Sequence, residues 1–277
     1  MPGGIELIAF PQLSRVSGLV HAFSTRAGGV SAPPCDSLNL GFHVGDSPEN
    51  VVENRRRFAA AAGFALEDVV STRQVHGVVV RTVGAAERGT GALAPAADSW
   101  APCSAKPATQ GEEGCDALVT REPGVVLMGF AADCPLVLLA DPDARVAGLA
   151  HAGWRSAFGG IVANTLDAMC ALGASPGRIV AGITPSARAC CYEVGGELQE
   201  ELAKRMDGAG RFFTPRGGKF LLDLPGVVRE MLQLGGVRPE RIEAAQACTI
   251  CGPSRFFSHR QSGGKTGRLA AVISFCL

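Results

Sequence analysis

Cys134 and His151 are the residues whose types and placement in the chain first suggest chemistry. Leu136 to Ala140 is an apolar run too short for a helix, and Asp141-Pro142-Asp143 is turn chemistry. Arg145 to Ala150 reads as a second apolar strand. A hairpin of this kind brings the residue before its first strand close to the residue after its second. Cys134 and His151 are therefore expected together at one end of a sheet. A thiolate beside an imidazole makes either a metal site or a nucleophile with its base. His76, in Ser71-Thr72-Arg73-Gln74-Val75-His76-Gly77 at the lip of another strand, completes a Cys-plus-two-His set. Three such ligands with one position left open have the composition of a catalytic zinc site, with copper as the alternative metal.

Other residues offer supporting chemistry. The turn Arg26-Ala27-Gly28-Gly29 outlines an anion pocket, since paired glycines let backbone N–H groups approach a ligand and Arg26 adds fixed charge. Asn39, in Ser37-Leu38-Asn39-Leu40-Gly41, contributes an amide. Arg155 opens the helix after His151, where a positive dipole end suits an anion or phosphate. Asp133 and Asp116 are proton-shuttle candidates by proximity, Glu193 a lesser one, and His259 is a second-rank site residue. Arg55, Arg56 and Arg57 read as a solvated face. Cys248-Thr249-Ile250-Cys251 is a CxxC, but Gly252-Pro253 follows at once and Cys190-Cys191 is adjacent rather than spaced. It reads as a plain loop pair rather than a redox motif or structural metal site.

Strands and helices alternate along all 277 residues. The expected fold is α/β of the α+β kind, with mixed β-sheets flanked by helices in a layered single domain spanning 1–277. Strands are read at Leu19–Thr25, Val78–Val83, Cys115–Thr120, Val125–Phe130, Ile179–Thr184, Phe220–Leu222, Ile242–Ala247 and Gly267–Phe275. Helices are read from Ser47-Pro48-Glu49 to Gly63, over a periodic run through Phe158, Ile161, Val162, Leu166, Met169 and Leu172 to Gly173, and at Gly196–Met206 and Pro225–Leu234. Gly84–Gly114, rich in Gly, Ala, Pro, Ser and Thr, reads as a mobile surface insertion.

Lys+Arg and Asp+Glu balance at 26 each, so no global field calls for nucleic acid or an anionic membrane. No apolar run approaches the roughly 20 residues that span a bilayer, and MPGGIELIAF lacks a basic export region. The ten cysteines then read as reduced thiols in a cytoplasmic protein. A monomer is expected.

STRAGGVS, SLNLG, QVHG, ADCPLVLLAD, HAGWR, CYEVG and the terminal CT…FFSHR…GR resemble the YfiH-type family, over nearly the whole chain from Leu19. Its members have been called multicopper polyphenol oxidase or laccase-domain proteins, purine nucleoside phosphorylases and peptidoglycan editing factor. The resemblance implies a zinc held by His76, Cys134 and His151, the triplet already reached from spacing. It implies phosphorolysis of adenosine, inosine, guanosine and methylthioadenosine, with adenosine deamination as a second activity, and carries Arg26 and Asn39 over as pocket residues. The chain departs from the family pattern at Ser156 after HAGWR and at His259 in FFSHR.

Zinc with an open position lowers the pKa of bound water, as hydrolytic deamination requires. Phosphorolysis needs fixed donors on phosphate, for which Arg26, Gly28, Gly29 and Arg155 are the candidates. The H-x-E/P-C-x-x-C deaminase signature is absent. An alternative is a Cys–His amidase editing a cell-wall precursor, with Cys134 as nucleophile and His151 as base. A multicopper oxidase would need far more imidazoles than five scattered histidines supply.

Overall fold

In the computed structural model, which describes residues 4–92 and 114–276, two sheets stack face to face with helices on both outer sides. Strands β1 (Leu7–Ile8) and β2 (Leu19–Ser24) are followed by helix α1 (Pro48–Ala62), then β3 (Val69–Ser71), β4 (Val80–Thr82), β5 (Ala117–Thr120) and β6 (Val126–Ala131). The central hairpin is β7 (Leu136–Asp141) and β8 (Val146–His151), leading into α2 (Trp154–Gly159) and α3 (Ile161–Ala171). The second half runs β9 (Val180–Ile183), β10 (Glu193–Val194), α4 (Gly196–Ala203), β11 (Phe213–Arg216), β12 (Lys219–Leu222), α5 (Leu224–Leu234), β13 (Ile242–Ala244) and β14 (Leu269–Phe275).

One sheet has the order β1-β2-β14-β6-β3, the other β13-β9-β7-β8-β5-β4; β10-β12-β11 forms a small third sheet. Alternation along the strands sets the layers. Leu127 and Ala131 of β6 face Leu136, Leu138 and Leu149 of the opposite sheet, while Met128 and Phe130 turn outward onto Phe58 and Ala59 of α1. Val137 and Leu139 of β7 turn the other way, onto Ile161, Val162, Leu166 and Met169 of α3. Both faces of each central sheet are covered, which is why the central strands read as unbroken apolar runs.

Helix α1 begins where Ser47 accepts a hydrogen bond from the Asn50 N–H, has proline at its first turn and ends at Gly63, whose φ of 79° suits glycine. It also overturns an expectation. Arg55 is not on a solvated face but fully buried, its Nε donating to the Leu40 carbonyl at 2.9 Å and its guanidinium lying between the rings of Phe42 and Phe130. Burial lowers its pKa to about 9. The helix expected to run unbroken to Gly173 is two helices, split at Gly160 with φ 105°. The short strand expected at Phe220–Leu222 is part of a third sheet, because β11 and β10, not expected from the sequence, pair with β12 on either side.

Of the expected 84–114 insertion, residues 93–113 lie outside the described residues. Its described start is tied to the body: the Gly89 N–H donates to the Val69 carbonyl, the Ser71 N–H to the Thr90 carbonyl, and Arg88 pairs with Asp68. Among the described residues no helix is long and apolar enough to cross a membrane.

Candidate metal centre

The chain crosses between the two large sheets at Ala132-Asp133-Cys134-Pro135, linking β6 to β7. It crosses again between β3 and β4, in the loop that carries His76. Antiparallel pairing sets Leu136 opposite His151, so Cys134 arrives beside the end of β8 as hairpin geometry requires. His76, Cys134 and His151 each bring a ligand atom within 4.8 Å of the others.

Local interactions fix each side chain. Gln74 extends the pairing of β6 where β3 has ended: its amide donates to the Phe130 carbonyl at 2.8 Å and accepts from the Phe130 N–H at 2.7 Å. His76 then turns with φ 58°, a left-handed conformation uncommon outside glycine. Asp133, just before Cys134, is also left-handed at φ 97°. Its carboxylate accepts from Thr249 Oγ1 and from the Arg260 N–H, both at 2.7 Å. Gly153 leaves the ligands room; a Cβ there would lie 2.8 Å from His76 Cδ2 and 3.0 Å from Cys134 Sγ.

Asp116 organises the centre. Buried at the start of β5, it accepts from His151 Nδ1 at 2.7 Å and from the N–H groups of Val75, His76 and Gly77 at 2.7–3.0 Å. Burial pushes its pKa up, but the His151 hydrogen bond, the His151 charge and the backbone donors hold it below the usual carboxylate range. With Nδ1 engaged, His151 turns Nε2 toward Cys134. Asp116, one of the two shuttle candidates by proximity, is therefore engaged on four donors, among them His151 and the backbone that carries His76.

The donor set fits zinc. In a tetrahedral site sulfur and nitrogen ligands lie about 3.6 Å apart, given Zn–S near 2.3 Å and Zn–N near 2.0–2.1 Å. Cys134 Sγ is 3.8 Å from His76 Nε2. A carboxylate behind a ligating histidine is the support such sites use. With no ion between them, Cys134 and His151 form a charged pair. Burial opposes both charges, yet their attraction and the Asp116 hydrogen bond prevail: Cys134 falls to about 6 and His151 rises to about 10.

The expected anion pocket is built differently. Arg26 donates from Nε to the Asp36 carbonyl and from Nη1 to the Pro253 carbonyl, both at 2.8 Å, pairs with the Asp36 carboxylate at 3.0 Å and stacks on Phe257. A Cβ on Gly28 would meet Ile5, and one on Gly29 would strike the backbone of Ser37 and Leu38, so these glycines admit protein rather than ligand. Asn39 is fully buried, its amide bonded to Gly41, Asp46 and the Arg268 N–H. Glu193 pairs with Lys219 across the small sheet at 2.8 Å. Arg155 is exposed, its guanidinium 4.3 Å from the Trp154 ring; among the described residues it has no ion-pair partner.

Tyr192 was missed as a site residue. It is the chain's one tyrosine, and that uniqueness within CYEVG was a usable signal. Burial and the nearby Cys134 charge raise its pKa, and the charges of Arg260, Asp133 and Arg155 also reach it. His259 is exposed, with its pKa lowered by desolvation and by the charge of Arg268; Asp133 opposes this and His76 adds to it. The cysteines read as a plain loop pair are also drawn together: Cys190, Cys191, Cys248 and Cys251 form a second cluster.

The family described as multi-copper polyphenol oxidoreductase laccase matches residues 20–276. The chain is 40% identical over 270 residues to the purine nucleoside phosphorylase of Deinococcus radiodurans, covering 98% of this chain and 93% of that protein. It is 37% identical over 262 residues to the purine nucleoside phosphorylase YlmD of Geobacillus stearothermophilus, with coverages of 93% and 90%. The crystal structure of YlmD from that organism superposes with a TM-score of 0.88 at 34% identity, covering 100% of this chain and 98% of that one. The crystal structure of the Bacillus licheniformis hypothetical protein YfiH gives 0.87 at 32% identity, with coverages of 99% and 97%.

Proposed function

Because the chain belongs to the multi-copper polyphenol oxidoreductase laccase family, whose similar members are named purine nucleoside phosphorylases, we propose that it is a zinc-dependent enzyme of that activity. Its substrates are adenosine, inosine, guanosine and methylthioadenosine, and it deaminates adenosine as a second reaction. The observation that carries this reading is the His76–Cys134–His151 cluster, braced by Asp116, with Tyr192 close enough to feel the Cys134 charge and His259 that of His76.

Zinc, when held by the three ligands, supplies Lewis acidity at the position they leave open. In phosphorolysis a phosphate oxygen bonds to the anomeric carbon as the carbon–nitrogen bond to the purine breaks. The bonding electrons leave with the base, which must gain a proton. Arg155, its guanidinium over the Trp154 ring, meets the phosphate. Tyr192 keeps its proton and donates a hydrogen bond to developing negative charge. His259, largely neutral near pH 7, accepts and returns protons at the rim. Arg26, Gly28, Gly29 and Asn39 brace loops against one another, Arg26 on Asp36 and Pro253 and Asn39 on Gly41 and Arg268.

Incubation with adenosine, with and without phosphate, tests the assignment. Adenine and ribose 1-phosphate should form only with phosphate, and inosine should form without it. No turnover of any of the four nucleosides by zinc-loaded protein would sink the proposal.

One observation favours a second reading. Asp116, His151 and Cys134 are aligned as carboxylate, imidazole and thiolate, the order of a cysteine hydrolase triad. An amidase would work with the sulfur free of metal, so activity on amides by chelated protein, abolished by alkylating Cys134, would favour it over the phosphorylase. The copper oxidase reading has only two imidazoles at the centre; His21, for one, is occupied elsewhere, by the Phe10 N–H.

A further inference from the structure

The loop after β9 and the loop after β13 run side by side, joined by a bridge between Ser186 and Cys248. The Thr249 N–H donates to the Ser186 carbonyl at 3.1 Å, and Arg188 Nη1 donates to the Ala245 carbonyl at 2.6 Å. In the first loop, a turn closed by the Cys191 and Tyr192 N–H groups on the Arg188 carbonyl carries Cys190 and Cys191. In the second, a turn closed by the Gly252 N–H on the Cys248 carbonyl carries Cys248 and Cys251. Cys191 Sγ lies 3.0 Å from Cys251 Sγ, 3.4 Å from Cys248 Sγ and 3.6 Å from Cys190 Sγ; Cys190 and Cys251 are 3.4 Å apart. All four sulfurs fall within 4.8 Å of one another and all four cysteines are free.

We propose that Cys190, Cys191, Cys248 and Cys251 form a second metal site, in which four thiolates hold one zinc ion and staple the two loops together. Thiols gain little from contact with one another, since sulfur is a weak donor and a weak acceptor. Four thiolates around one zinc gain a great deal, and place their sulfurs about 3.8 Å apart; three of the four separations given above are within about 0.4 Å of this, and the Cys191–Cys251 pair, at 3.0 Å, would have to open further. An iron–sulfur cluster would interpose several atoms and needs its cysteines spread further. Cys248-x-x-Cys251 is a zinc-binding spacing by itself; the adjacent Cys190-Cys191 pair serves because the turn aims both sulfurs at the second loop. A closed four-sulfur set leaves no position for substrate, so the ion is structural. Its loops also touch the first centre. Thr249, between the two ligating cysteines of its loop, donates to Asp133, and the Ala187 N–H donates to the Asp133 carbonyl. The staple thus supports the residue that sets the direction of Cys134.

Metal analysis of protein purified anaerobically with zinc tests this. Wild type should hold two zinc ions per chain, Cys134→Ala one, Cys251→Ser one, and the combined variant none. Should a variant fail to fold, alkylation of wild type gives the same answer: zinc should slow modification of Cys190, Cys191, Cys248 and Cys251 at least tenfold. Cobalt in place of zinc in Cys134→Ala should give intense thiolate-to-metal absorption. A single zinc in wild type, lost with Cys134→Ala, would overturn the proposal. So would equal alkylation of the four cysteines with and without zinc, or a disulfide among them in the anaerobic protein.

Discussion

The two sulfur-bearing regions of this molecule are built from opposite materials. The first sits where the chain crosses between the large sheets, mixes one sulfur with two imidazoles, and is held by residues with other tasks: Asp116 on four donors, Gln74 on β6, Gly153 by having no side chain. The second lies on surface loops, with Cys190 and Cys251 exposed, and consists of four like ligands with no carboxylate among them. An open site has to be held rigid by its surroundings, because its ligand count leaves it incomplete. A closed site is made rigid by the ion. Position in the fold thus separates a place for chemistry from a fastening.

The largest expected effect breaks the comparison at its root. Cys134→Ala should remove one metal equivalent and lower nucleoside turnover by on the order of a thousandfold or more, whereas Cys251→Ser keeps the ion at the first centre; metal analysis beside steady-state kinetics measures both. Asp116→Asn comes next, with metal affinity at the first centre reduced about 10- to 100-fold, read by competition with a chelating dye. Gly153→Ala should follow with a roughly tenfold loss of affinity at the same centre and nearly unchanged circular dichroism, because the atoms nearest its methyl belong to His76 and Cys134.

A pH experiment sharpens the contrast for chelated protein. The pKa of Cys134 is lowered in the fold, so its contribution to stability is complete above an unfolded value near 9 and is lost as pH falls through about 6. That of His151 is raised, so its contribution is complete below an unfolded value near 6.5 and is lost as pH rises through about 10. Iodoacetamide should therefore label Cys134 with a midpoint near 6, and zinc added near pH 7.5 to chelated Cys251→Ser, which keeps only the first centre, should displace about one proton, from His151. Zero protons released, measured calorimetrically in buffers of differing ionisation enthalpy, would contradict the charged pair. The smallest effect is expected at Arg26→Ala: a stability loss of about 1 kcal/mol by denaturant titration and a change in the phosphate KM below about threefold, against roughly tenfold for Arg155→Ala.

The sequence alone revealed much of the first centre and little of the second. Hairpin chemistry around Asp141-Pro142-Asp143 sufficed to bring Cys134 to His151, because strand pairing is a local rule. The role of Asp116 was hidden because its four donors come from residues 75–77 and 151, and only the stacking of two sheets makes them neighbours. The four-cysteine cluster is hidden for a similar reason: spacing within each segment says little until the Ser186–Cys248 bridge sets one loop against the other. Arg55 reads as a surface charge because the rings that enclose it come from other elements, Phe42 from the loop before α1 and Phe130 from β6. Glycines Gly28 and Gly29 look alike whether they admit a ligand or another strand of backbone. Among the elements, periodicity located the helical face of α3, but only coordinates revealed the break at Gly160.

His76 and Cys134 each ride on a link between one large sheet and the other. An ion shared by them and His151 is therefore a rivet through the sandwich, and no short fragment of the chain reproduces its grip. Ion uptake and global unfolding become linked equilibria: free zinc at a thousand times its dissociation constant adds about 4 kcal/mol to the stability of the folded chain. In Cys251→Ser, which keeps only this ion, the melting temperature then serves as an affinity meter for the centre, legible before any substrate is known.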